Sequence, residues 1–335
     1  MTPMNGPATS LNGQTGAAPR RTLLTLLATQ IELRMSLVVV AVMAVLSLIS
    51  PYFLTLNNML NLLSQSVVVG LLALGQTLVI LIGGIDLSVG SLVGVTGIVL
   101  GLSLHHVPMP AAFLFCLAAG AAAGLVNGLI ITYGRVAAFV VTLGMMSVGR
   151  SLAYVLSGAN SISGLPAGLG ALSADSLFDI PVDFLVLIAC YALCWWFLNH
   201  TKGGRTLYAL GSNAEAARVA GLRIGTWSVL AYVISGLMSG VAAIFMASRI
   251  LSIDPIGGQG LELDAIAAVV IGGASLFGGR GSIIGTLFGV FVMLFIRNGL
   301  NLLNVSPYWQ GTAIGSVIIV AVLAERLLSG ARRRG

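Results

Sequence analysis

An all-α polytopic membrane fold is predicted by three features of this chain. Hydrophobic residues make up 57% and charged residues 8% of its 335 positions, whereas soluble domains are about 25% charged. The apolar residues lie in continuous runs, not in the short alternating segments of a β-barrel. Glycine is abundant, at 43 residues, and small residues let helices approach closely in a bilayer.

Residues 1–35 are polar, rich in Gly, Pro, Thr and Asn, and end in a basic patch; they read as a disordered cytoplasmic tail. The following run is expected to be an uncleaved first membrane helix, because a signal peptide has a shorter leading region and a small-residue cleavage site. About ten spans are expected, near 36–54, 62–82, 88–104, 111–133, 138–157, 181–199, 227–247, 264–277, 282–300 and 310–328. Together they make a membrane domain over 36–328, followed by a basic cytoplasmic tail at 329–335. The loop Gly158 to Ile180 has no Lys or Arg and is expected outside. The loop 200–226 carries Lys202, Arg205, Arg218 and Arg223 and is expected inside.

The net charge of +6 follows the same logic. With both termini cytoplasmic, Arg20, Arg21, Arg34, Arg135, Arg280, Arg326 and Arg332 to Arg334 join the inner side, leaving Arg150, Arg249 and Arg297 towards the outer ends. That separation is the positive-inside pattern of a multi-pass protein of the bacterial inner membrane, not a nucleic-acid footprint.

Several chemistries lack their motifs. No phosphate loop precedes Lys202, the single lysine, so ATP hydrolysis by that route is excluded. Neither H-E-x-x-H nor G-x-S-x-G occurs. Cys116, Cys190 and Cys194 sit in apolar runs and read as packing residues; His105, His106 and His200 lie at span ends or in loops. The chain is therefore read as no enzyme, with no catalytic, cofactor or metal residues. Intramembrane charge is sparse (Asp86, Arg150, and Glu262 and Asp264 near one surface), which is thin for an ion-coupled carrier.

Two constellations stand out. The first is Ile82-Gly83-Gly84-Ile85-Asp86-Leu87-Ser88-Val89-Gly90, a carboxylate inside Gly-interrupted backbone between apolar runs. Such backbone survives at membrane depth only where protein or a watery cavity covers it. Ile82-Gly83-Gly84 followed by Gly90-Ser91 is echoed by Ile271-Gly272-Gly273 followed by Gly281-Ser282. Paired interrupted segments predict two pseudo-repeated halves around a pathway. Asp86 is expected either to anchor a helix N-terminus or to meet substrate hydroxyls. The second is Gly211 to Gly221, read as a short helix outside the membrane, with Ser212 and Glu215 as a capping box and Gly221 at the stop. Its alanines make a smooth ridge suited to a groove on another protein, with Arg218 and Glu215 to orient it; a solvated connector fits the same residues.

Gly83 to Gly90, Thr142-Leu143-Gly144, Asn213 to Arg218, Leu263 to Leu276 and Gly278 to Gly281 together resemble the membrane permeases of bacterial ABC sugar importers, the ribose, xylose and arabinose permeases in particular. The similarity covers roughly 36–328. It implies a homodimer around a central path and a cytoplasmic ABC ATPase, which holds the ATP and Mg, docked on Asn213, Glu215, Ala217, Arg218 and Gly221. It also implies a periplasmic or lipid-anchored sugar-binding protein at the outer face. The path is expected to carry a monosaccharide, a pentose or hexose, past weakly polar residues, with Gln76, Asn127 and Thr142 as candidates. Gly83, Gly84, Asp86, Gly272 and Gly273 are assigned to path or joint. The family often has proline after the basic residue that here is Arg135; Val136-Ala137 departs from that. Within the same class, inositol, nucleosides, a signalling sugar derivative or branched-chain amino acids are alternatives. An ion-coupled secondary carrier and a non-transporting scaffold are alternatives of other classes.

Overall fold

The structure is a computed structural model that describes residues 31–306, 308–312, 315–316 and 319. Both expected tails, apart from the last residues before 36, and most of the tenth expected span lie outside the described residues.

Each of the first nine apolar runs is a helix. They are α1 (Ile31–Ile49), α2 (Leu56–Leu81), α3 (Val89–Leu104), α4 (Met109–Thr132), α5 (Ala138–Ser157), α7 (Val182–His200), α10 (Ile224–Ile250), α11 (Leu261–Ile271) and α12 (Ile283–Leu302). The segment expected outside is more ordered than a plain loop. It holds α6 (Ala167–Ala174) and a hairpin of β1 (Ser176–Leu177) with β2 (Ile180–Pro181). The 200–226 loop holds α8 (Lys202–Ser212) and α9 (Ala214–Val219).

Seven of these helices are long and apolar enough to cross a membrane. Helices α3 and α11 are not, with 16 and 11 residues. At ~1.5 Å per residue they reach about 24 and about 16 Å, short of a hydrocarbon core of ~30 Å. The expected run 264–277 is thus no continuous span. Its helix stops at Ile271 because the chain turns at Gly273, where φ is +87°. That left-handed backbone suits glycine, which carries no Cβ.

Helices α2 and α10 are the centre of the bundle. In their apolar stretches 78% and 67% of residues are buried, against 6% for α1, which lies at the periphery. Lipid offers no hydrophobic drive for helix pairing, so close backbone approach must supply contact. The most extensive pair, α4 with α10, shows how. Gly120, Gly124 and Gly128 recur every fourth residue along α4 and lie against Gly236, Tyr232 and Val229 of α10. A Cβ on Gly120 or Gly236 would overlap the other's backbone, so either substitution must part the helices.

The bundle has two distinct ends. At one, Ile162 and Ile253 exchange backbone bonds of 2.8 and 2.9 Å, and Ser161 Oγ donates to Asp254 over 3.0 Å. At the other, the turns after α2 and α11 meet each other beneath α8.

Candidate functional sites: an intramembrane joint and a docking helix

The joint begins where α2 ends. Gly83, with φ +79°, sends its N–H to Ile80 O at 2.9 Å, and Gly84 sends its own to Val79 O at 3.0 Å. After α11, Gly273 bonds Val270 O at 2.9 Å and Ala274 bonds Val269 O at 3.2 Å. Both are the same Schellman stop, with paired backbone bonds closing a helix at a left-handed residue. The two segments therefore share a stop, in a register one residue away from the sequence echo: Gly83 matches Gly273, and Gly84 matches Ala274. Gly272 is instead a packing residue, against the Gly285 backbone of α12.

Asp86 sits between the α2 stop and the α3 start and is fully buried. One carboxylate oxygen, Oδ1, accepts from Ser88 N at 3.0 Å and Ser88 Oγ at 2.6 Å. The other, Oδ2, accepts from Ser235 Oγ of α10 at 2.9 Å. No cation approaches it among the described residues. The donors are the Asp-x-Ser turn itself and one serine from the central helix.

Gln76, Asn127 and Thr142, expected along the path, are all completely buried and converge on this joint. Oriented to suit its surroundings, the Gln76 amide donates to Asp86 O and accepts from Asp86 N, both at 3.1 Å. Asn127 Nδ2 donates to Ser88 Oγ at 3.0 Å, and Thr142 Oγ1 to Ile85 O at 3.1 Å. Residues from α2, α4, α5 and α10 thus satisfy the polar groups of an unwound stretch, as burial away from water requires. Ser235 was not foreseen, since nothing local marks a partner so distant in sequence.

Two further pairs of charges meet beside α11. Arg150 of α5 meets Glu262 at 3.0 Å, and Arg297 of α12 meets Asp264 at 2.8 Å. Both acids lie in the first turn of α11, where the helix dipole also favours negative charge.

Helix α8 joins the joint to the exposed end. Its buried face carries Gly203, Gly204, Thr206 and Leu207, and Thr201 caps it by accepting from Gly204 N at 3.2 Å. Tyr208 donates its hydroxyl to Gly281 O at 3.0 Å; burial raises that phenol above its usual range, which keeps it a donor. Gly211 packs so closely on Leu81 O and Gly279 N that a Cβ would overlap both. Gly279 N in turn donates to Leu81 O at 2.9 Å. The end of α8 therefore touches both Gly-rich turns at once.

Helix α9 follows after one extended residue, Asn213. Its cap is Asn213, whose Oδ1 accepts from Ala216 N at 2.9 Å. The expected Ser212 cap is corrected: Ser212 ends α8 and donates to Tyr208 O at 2.8 Å. Gly221, at φ +74°, is the stop, with Gly221 N bonding Arg218 O and Leu222 N bonding Ala217 O at 3.0 and 3.1 Å. Glu215 does not reach back to the cap; it pairs with Arg218 at 2.7 Å, and both remain mostly exposed. Of the expected docking residues, Asn213, Glu215, Arg218 and Gly221 face outward, whereas Ala217 is buried against the body. Sequence reasoning missed two exposed apolar groups at this end, Val219 at 81% and Phe277 at 89% exposure. Large apolar side chains left open beside a polar rim are what a partner surface displays.

A bundle with paired interrupted segments, a buried polar joint and an exposed capped helix is the architecture of a membrane transport subunit. Residues 58–322 match the family model described as branched-chain amino acid transport system / permease component, and the chain belongs to that family. It is 40% identical over 307 residues to the ribose import permease protein of Escherichia coli K12, covering 88% of this chain and 93% of the relative. It is 42% identical over 285 residues to the ribose import permease protein of Bacillus subtilis 168, covering 84% and 88%. The D-allose transport system permease protein of Escherichia coli K12 is 35% identical over 291 residues, covering 86% and 89%. No solved structure matches at a significant level.

Proposed function

We propose that this chain forms the translocation path of an ATP-driven importer for a monosaccharide, with D-ribose the first candidate. The near full-length similarity to ribose import permeases carries the choice of substrate. The family takes its description from branched-chain amino acid transport, which is the second reading.

Energy enters from a cytoplasmic ABC ATPase, with its ATP and Mg, docked on α9. Support comes from the exposed Asn213, the Glu215–Arg218 pair and the neighbouring Val219 and Phe277. An external binding protein supplies affinity and delivers the sugar at the opposite end, beside α6 and the hairpin. Two copies of the chain assemble around the path, and both termini lie in the cytoplasm. Gln76, Asn127, Thr142 and Asp86 act as the joint about which α3 moves relative to α2, not as sugar contacts. Gly83 and Gly273 are the hinges of the two turns; Gly84 and Gly272 allow close packing beside them.

Uptake of labelled D-ribose tests this in cells lacking their own pentose permeases, with the ATPase and binding protein of the same genome co-expressed. Uptake that needs all three components is expected. Uptake driven by a proton or sodium gradient without the ATPase would contradict the importer reading. Uptake of leucine but of no sugar would favour the second reading.

A further inference from the structure

The three path candidates of the sequence are sealed inside the joint, so the solute must meet other residues. A cleft of about 220 Å³ opens between α3, α5 and the segment before α11, lined by Gly90, Ser91, Arg150, Tyr154, Pro255, Ile256, Gly258 and Gln259. It has room for about seven waters at ~30 Å³ each. We propose that this cleft is a way-station for a neutral polyhydroxylated solute, resting on the importer reading above.

Polarity is the first argument. Arg150 lies well inside α5, yet its side chain is 36% exposed and turned to this cleft. A guanidinium at membrane depth faces protein or a water-filled cavity, not lipid. Only its bond to Glu262 is made among the described residues, which leaves most of its five N–H donors for another partner. Tyr154 and Gln259 also line the cleft, and neither side chain has a hydrogen-bond partner among the described residues. The wall thus holds hydrogen-bonding side chains, Ser91, Arg150, Tyr154 and Gln259, for a solute's hydroxyls.

Charge narrows the class. Glu262 accepts from Arg150 at 3.0 Å and from Gly260 N at 3.1 Å, so the pair is neutral overall. An anion gains little from a compensated arginine. An aliphatic side chain would meet Pro255, Ile256 and the Tyr154 ring but make no hydrogen bond to Arg150, Ser91 or Gln259. A neutral solute rich in hydroxyls satisfies the cleft better than either.

Position supplies the third argument. Ser91 on the wall donates to Ser88 O at 2.8 Å, and Ser88 holds Asp86. A continuous set of contacts runs from α9 through α8, the Gly-rich turns and Asp86 to this wall. Motion of the joint would change the cleft, and an open, weakly gripping site lets a solute leave as well as enter.

Two measurements on the full-length protein in proteoliposomes, with its ATPase and binding protein, test this. In the first, Gln259→Cys and Tyr154→Cys are exposed to a charged, membrane-impermeant thiol reagent. The wild type gives the background of Cys116, Cys190 and Cys194, and Leu114→Cys serves as the α4 surface control. Labelling of the cleft positions well above Leu114→Cys is expected; equal labelling would overturn an aqueous cleft. In the second, the Tyr154→Phe, Gln259→Leu double variant is assayed for D-ribose uptake at matched abundance. A loss on the order of tenfold is expected from two lost hydrogen bonds. Unchanged uptake by that variant and by Gln259→Trp, with an active wild type, would overturn the cleft alone. Thiol labelling as expected with no sugar uptake by the wild type would instead contradict the monosaccharide reading, and with it the ligand class assigned here.

Discussion

Asp86 shows how a carboxylate survives at membrane depth without a cation. Three donors from Ser88 and Ser235 reach its two carboxylate oxygens, and Gln76 pairs with its backbone. Asp86→Asn would turn an NH₂ towards those donors. A cost of about 1–3 kcal/mol is expected, enough to lower abundance several-fold. Quantitative blotting of membranes checks this; a changed sugar profile at normal abundance would instead make Asp86 a substrate contact. The local half of this arrangement was legible, since Asp-x-Ser-x-Gly before an apolar run carries the anchoring geometry within itself. The other half was not, because Ser235, Asn127 and Thr142 reach the joint only through helix packing. At the exposed end, Arg218→Glu places a like charge beside Glu215, where the two side chains now meet at 2.7 Å. The exposed pair contributes little to stability, so normal insertion is expected together with loss of ATP-dependent uptake. Normal uptake by that variant would remove Arg218 from the docking surface.

Among elements, the two interrupted segments are most alike in their stops. Two helices end in the same pair of backbone bonds, each turning at a left-handed glycine, Gly83 or Gly273. Replacing either by alanine is expected to cost about 1–2 kcal/mol, read as a lower Tm of the purified protein in detergent. An unchanged Tm would mean that the turn relaxes elsewhere. The sequence echo found both turns but aligned them one residue out, because Ile-Gly-Gly is a string match while the stop is defined by hydrogen bonds. Gly211 carries the most specific expectation. Its missing Cβ lets α8 rest on Leu81 and Gly279. Gly211→Val should lift α8 off both turns and lower the solute moved per ATP hydrolysed, while α9 still binds its partner. An unaltered ratio would show that α8 is a passive linker. Nothing in a lone Gly before Ser212 marked this role; it depends on where Leu81 and Gly279 come to lie.

For the molecule as a whole, the class was legible and the depth of each helix was not. Continuous apolar runs and clustered arginines predict a polytopic chain directly, since lipid demands internally bonded backbone. They do not reveal that α11 ends after 11 residues at a left-handed glycine turn. Composition looks much the same in a full span and in a half-helix covered by protein. Of the charged residues expected near the outer face, Arg150 pairs with Glu262 and Arg297 with Asp264 around α11, tying that half-helix to α5 and α12. The central claim is that energy enters at α9 from an ATPase and is used to move a monosaccharide. The measurement that tests it most directly is ligand-stimulated ATP hydrolysis in proteoliposomes holding this chain, its ATPase and its binding protein, across pentoses, hexoses, inositol, nucleosides and branched-chain amino acids. Stimulation by one sugar, present only with all three components and abolished by Arg218→Glu, is the predicted result. An assembled complex whose hydrolysis responds to no sugar, or only to leucine, would contradict it.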